Sequence, residues 1–187
     1  MLTMSPGREP PMSILRFLGL DSKTSTTADT QTVRRIVASL DAMDPQRARW
    51  IAAFAFLLCR VARSELVISE EESLAMERII RERGGLTEEQ AVLVLQIAKT
   101  QAVLFGGTEN FLVSREFNKI ATREQKLALL DCLFAVSAAD ESISTAEDSE
   151  IVRICAELQL PREEVVEARS RYRQYLAVLK GVTKRDG

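Results

Sequence analysis

The sequence predicts an all-α fold, a compact bundle of about eight helices built from two related helix-turn-helix halves. Three observations carry this. Apolar residues recur at helical spacing, as in the i, i+3, i+4, i+7 stripe Val33, Ile36, Val37 and Leu40. Helix start and stop signals recur along the chain with short connections between them. Two segments also repeat in one register, Glu65-Leu-Val-Ile-Ser-Glu-Glu-Glu72 and Asp140-Glu-Ser-Ile-Ser-Thr-Ala-Glu147. Around them Leu58 and Val61 correspond to Leu133 and Val136, and Met76 and Ile79 to Ile151 and Ile154; after a one-residue slip, Leu86 corresponds to Leu160. No run of alternating β-branched residues is present and no Asn-Gly or Asp-Gly hairpin turn joins two apolar runs, so a sheet is not expected.

Taken in order, residues 1–29 form an N-terminal segment whose Pro, Gly, Ser and Thr content supports no core. Within it residues 12–20 are a short apolar stretch without the layout of a secretory signal. The domain proper spans residues 30–180 and a tail follows at 181–187. Asp44-Pro45 reads as an N-cap with proline at the first helical position, opening a helix to about Ala62. Ser69 and Glu72 have capping-box spacing, and their helix should stop at Gly84-Gly85. Thr87 with Gln90 opens the next, through Val92, Leu95, Ala98 and Ala102 to a break at Gly106-Gly107. A shorter helix fits 108–120. Thr122 with Gln125 caps a second long apolar helix that turns Leu129, Cys132, Leu133 and Val136 inward. Ser144 opens the next helix and Pro161 the last, which should run to about Leu179.

A formal charge of −2, from 25 basic and 27 acidic side chains, gives no bulk attraction to nucleic acid or an anionic membrane. The chain has no histidine, which excludes serine triads, Cys-His nucleophiles and zinc sites with imidazole ligands. Cys59, Cys132 and Cys155 lie in apolar helical stretches without CxxC spacing, and read as buried thiols of a reducing cytosol. The apolar run from Trp50 to Cys59, bracketed by Arg49 and Arg60, is too short to span a membrane.

The repeated loops are the candidate site. Each places a carboxylate at a helix end, Glu65 or Asp140, and another in the first turn of the next helix, Glu72 or Glu147. With Glu141 these would give a hard cation such as Ca²⁺ or Mg²⁺ its preferred oxygen ligands. Capping alone accounts for Glu72 and Glu147, and the helix dipole favours carboxylates in a first turn. It does not account for Glu65 and Asp140, which follow a helix C-terminus, where the dipole disfavours anions. The loop is not an EF-hand, since it lacks the alternating ligands, the central glycine and the glutamate at position 12.

At these loops the chain resembles the tellurite-resistance TerB-like family, in which an apolar helix ends in Ala-x-Ala-Asp-Gly, followed by an Ile-Ser step and a glutamate opening the next helix. Val136-Ser-Ala-Ala-Asp140-Glu-Ser-Ile143-Ser-Thr-Ala-Glu147 carries the pattern best, with Glu141 where glycine is usual. The first copy, Val61 to Glu72, departs further, with Glu65 for Asp and Leu66 for Gly. The resemblance covers about residues 30–180 and implies an all-helical domain of two related halves. It also implies a cytoplasmic or membrane-peripheral setting, a stress-response or interaction role, and metal binding at Asp140 and Glu147, then Glu65 and Glu72.

The function expected is therefore a non-enzymatic stress-response or interaction module with a protein partner and a divalent-cation site. A carboxylate-metal hydrolase and a membrane-docking adaptor using Ile14, Leu15, Phe17 and Leu18 are the rival classes. Arg169, Arg171 and Arg173 beside Tyr172 and Tyr175, with Lys180, Lys184 and Arg185 beyond, read as a solvated basic face, and no nucleic acid is expected.

Overall fold

The helix opened by Asp44-Pro45 is the axis of the molecule. In the computed structural model, which describes residues 27–62, 70–104 and 110–177, it spans Pro45–Ala62, and its side chains are buried without a break from Trp50 to Val61. Here it is α2, following α1 (Thr27–Asp41); α3 (Glu70–Gly84), α4 (Glu88–Leu104), α5 (Asn110–Ile120), α6 (Arg123–Ser137), α7 (Thr145–Glu157) and α8 (Arg162–Arg171) come after it. A helix apolar on every face must be enclosed on every face. α2 accordingly packs against α1, α4, α5, α6 and α7. Among the described residues there is no strand, only an isolated parallel bridge between Ile143 and Leu176.

The start signals operate as read. Asp44 Oδ1 accepts the N–H groups of Gln46 and Arg47, both at 3.0 Å. Thr87 and Gln90 exchange the two bonds of a capping box, as do Thr122 and Gln125, and Ser144 and Glu147. α1 begins at Thr27, earlier than the apolar stripe at Val33 suggests.

The duplication is visible in how α3 and α7 end. Leu86 donates to the Arg81 carbonyl at 3.3 Å and Leu160 to the Cys155 carbonyl at 3.0 Å, the same six-to-one closing bond in both halves. Each follows a residue with positive φ, Gly85 at 62° and Gln159 at 57°. Gly84 is fixed by packing, since a Cβ there would come 3.2 Å from Phe54.

The core gathers Ile36, Leu40, Phe54, Leu57, Leu58, Ile80, Ile97, Phe117, Leu129 and Phe134, each at most 2 % exposed. Side chains of this size each stabilise the fold by roughly 1.5–3 kcal/mol through burial. Trp50, Phe54 and Phe117 make a tilted aromatic cluster with centroids 5.0 to 6.4 Å apart. In α4 the face turned deepest is Ala91, Val94 and Ile97, with Leu93, Leu95 and Ala98 also buried; Val92 is only half-buried, and Gln96 and Lys99 are exposed.

The last helix differs from the expectation. It opens after Pro161 but stops at Arg171, followed by a 3₁₀ turn at Arg173–Tyr175 and an extended Leu176. The chain is diverted because Leu176 is buried and its neighbours pair with the backbone of Ile143. Residues 1–26, with the apolar stretch at 12–20, the first acidic loop at 63–69, Gly106-Gly107 and the tail from 178 lie outside the described residues.

Candidate functional site

The second acidic loop is built by the end of α6, the start of α7 and the segment after α8. α6 closes at Ala138, whose N–H donates to the Phe134 carbonyl. Ala139 and Glu141 then donate to Val136 and Ala138, which winds the chain tightly and leaves Glu141 at φ 64°. That is left-handed backbone, where glycine is the unstrained residue. Asp140 is exposed, and its Oδ1 accepts the Ser142 N–H at 3.1 Å. Ile143 is buried; its N–H donates to the Tyr175 carbonyl at 2.7 Å and its carbonyl accepts the Ala177 N–H at 2.9 Å. Glu147 Oε2 accepts the Ser144 N–H at 2.8 Å, so one oxygen of this carboxylate is engaged in capping.

Asp140 and Glu141 thus stand together at the loop surface, with Glu147 a short distance on in the first turn of α7. Among the described residues no three Asp, Glu, Cys or His side chains converge at metal-binding distance. Glu65 lies outside the described residues, and Glu72 falls in α3 with its side chain likewise outside the description.

Two charged clusters were not found from the sequence. Arg60, at the end of α2, is buried with its side chain 2 % exposed. Its Nη1 lies 2.6 Å from Glu157 Oε2 and 2.7 Å from Ser114 Oγ, and its Nε donates to Glu150 Oε1 at 2.8 Å. Ser114 also bonds to Glu157, and Arg153 pairs with Glu150 at 3.2 Å. Burial pushes the Glu157 carboxyl up, but the hydrogen bonds and charge of Arg60 and the Ser114 hydroxyl more than offset it, so its pKa lies below the ordinary value. The signal was present: an arginine on an apolar face, and two glutamates seven apart on α7.

Asp131 of α6 is the second hub. It takes Arg83 at 3.0 Å, Arg171 at 3.8 Å and the Tyr172 hydroxyl at 3.1 Å, while the Tyr172 ring stacks on Phe134 with centroids 5.5 Å apart. Arg169 grips Asp148 with two bonds of 2.8 and 2.7 Å. Arg169, Arg171 and Tyr172 are therefore turned onto acidic groups of their own domain, while Arg173 is exposed and Lys180, Lys184 and Arg185 lie outside the described residues. The three cysteines are all buried, and burial pushes the thiols of Cys132 and Cys155 up to about 12.

Residues 50–170 match the family model for tellurite resistance protein TerB. The chain belongs to the TerB family. The matched span opens at Trp50 in α2 and closes in α8, so it takes in both halves of the repeat, the Arg60 cluster and the Asp140 loop of the TerB domain. α1 and the segment that pairs with Ile143 lie beyond it. Comparison with curated proteins and with solved structures gives no match. No described helix of this TerB-family chain is long and apolar enough to cross a membrane.

Proposed function

We propose that this TerB-family chain is a non-enzymatic interaction module in stress response, acting in the cytoplasm or at a membrane periphery, whose acidic loops take Ca²⁺ or Mg²⁺. The observation that carries the reading is the position of Asp140 and Glu141. Both are exposed just past the C-terminus of α6, where the dipole disfavours anions, and one oxygen of Asp140 also accepts the Ser142 N–H. A hard cation relieves that unfavourable placement with the oxygen ligands it prefers. Glu147 is the third proposed ligand, with Glu65 and Glu72 supplied by the first copy of the motif. Because no preformed cluster of three is seen among the described residues, the proposed site closes around the ion as it binds. The non-enzymatic part is supported by the absence of histidine and by two thiols held far above neutrality.

The test is thermal unfolding of chelator-treated protein with Ca²⁺ or Mg²⁺ against K⁺ at matched ionic strength. An ion at about 100 times its Kd stabilises the folded state by about 2.7 kcal/mol. The expected result is a higher Tm for the wild type and none of that rise for Asp140→Asn. An unchanged wild-type Tm would remove the cation from the account. Divalent-dependent ester hydrolysis lost in the same variant would favour the hydrolase class instead.

A further inference from the structure

We propose that residues 172–177 are a two-state switch, docked as a strap on the loop between α6 and α7 or released as a continuation of α8.

Two local conflicts meet at this place. The first is in the strap. Tyr172, Arg173, Gln174, Tyr175, Leu176 and Ala177 contain no glycine, proline or β-branched residue, and the sequence favours an unbroken helix through them. Residues 173–176 are nevertheless bent into a 3₁₀ turn and an extended Leu176, with φ −69° and ψ 114°. The second is in the loop, where Glu141 occupies the left-handed region that a non-glycine residue enters at a cost. A segment whose local preference opposes its tertiary conformation has a ready alternative state.

The attachments are few and identifiable. Ile143 and the strap exchange two backbone bonds, Ile143 N–H to the Tyr175 carbonyl and Ala177 N–H to the Ile143 carbonyl. Leu176 is buried in the core, and Tyr172 anchors the start through Phe134 and Asp131. On release, the strap amides regain helical partners in α8, while the Ile143 N–H and carbonyl lose theirs and the loop of Asp140 and Glu141 loosens. The loop and the end of α8 are thereby coupled: whatever binds one conformation of either shifts the other by the same free energy. The coupling holds whether or not the loop takes a cation.

Hydrogen exchange and Cα chemical shifts of the full chain test this. In the wild type the Ile143 and Ala177 amides should exchange together, at least about tenfold faster than the Cys132 amide inside α6. Leu176→Ser should move the shifts of 172–177 to helical values and speed Ile143 exchange further while leaving Cys132 unchanged. Glu141→Gly, which relieves the docked loop, should slow Ile143 exchange about fivefold. Exchange of Ile143 only at the rate of Cys132 would overturn the switch, because the strap would then open only with the whole domain. Random-coil shifts at 172–177 in Leu176→Ser would overturn it equally, since the released state would not be helical.

Discussion

Arg60 and Glu157 meet inside the bundle, with Nη1 2.6 Å from Oε2 and side chains only 2 % and 16 % exposed. Arg60 belongs to α2 in the first half of the repeat and Glu157 to the last turn of α7 in the second, so the pair ties the two halves together. Ser114 of α5 and Glu150 of α7 complete the enclosure.

Breaking one side of this cluster should cost more than any surface pair in the molecule. Arg60→Ala leaves the largely buried Glu157 without its ion-pair partner and Glu150 with only Arg153, and a loss of about 3 kcal/mol is expected. Urea unfolding measures it; a loss under about 1 kcal/mol, the range of an exposed pair, would show that the cluster is solvated.

The same cluster sets an acid limb. The folded-state pKa of Glu157 is depressed, so its contribution is fully present above the unfolded value of about 4.3 and is lost as pH falls through the lower folded value. Stability should therefore decline below about pH 4, and Glu157→Gln should flatten that decline while lowering stability at neutral pH. Parallel acid limbs in the two proteins would contradict the assignment.

The left-handed positions that follow α3 and α7, Gly85 and Gln159, make a reciprocal pair. Gly85→Ala should destabilise by about 1 kcal/mol through φ alone, because no atom lies within 4 Å of the added Cβ. Gln159→Gly should stabilise by about 0.5–1 kcal/mol, since it places the favoured residue at the matching end of α7. Thermal unfolding of both variants checks the signs, and equal signs would contradict the repeat of helix endings.

Cys132→Asp should abolish cooperative folding, because it buries a carboxylate at a fully enclosed position of α6. Circular dichroism reads this directly, and an unchanged melting temperature would show that the inward face of α6 is wrong.

Most of this fold was legible because its signals are local. Asp44-Pro45, the boxes at Thr87, Thr122 and Ser144, and Gly84-Gly85 are decided within four residues, and the structure places helix ends at each. The Arg60 cluster was not legible because its partners are 90 and 97 residues away, and an arginine closing an apolar run looks like any helix end. The end of α8 was misread for a related reason. Its local preference is helical, and what overrides it is the unmet backbone of Ile143, remote in sequence. At the acidic loop the sequence pattern fits both capping and coordination and does not separate them. The structure places Glu147 in its capping box and leaves Asp140 and Glu141 exposed beside it.

The most direct measurement is isothermal titration of chelator-treated protein with Ca²⁺ and Mg²⁺, alongside Asp140→Asn, Glu147→Gln in one chain. Glutamine at that position keeps the capping box, so the variant removes charge without removing the helix start. Saturable heat in the wild type that disappears in the variant is the result predicted here. No heat in the wild type, or heat that survives in the variant, would contradict a cation site at this loop.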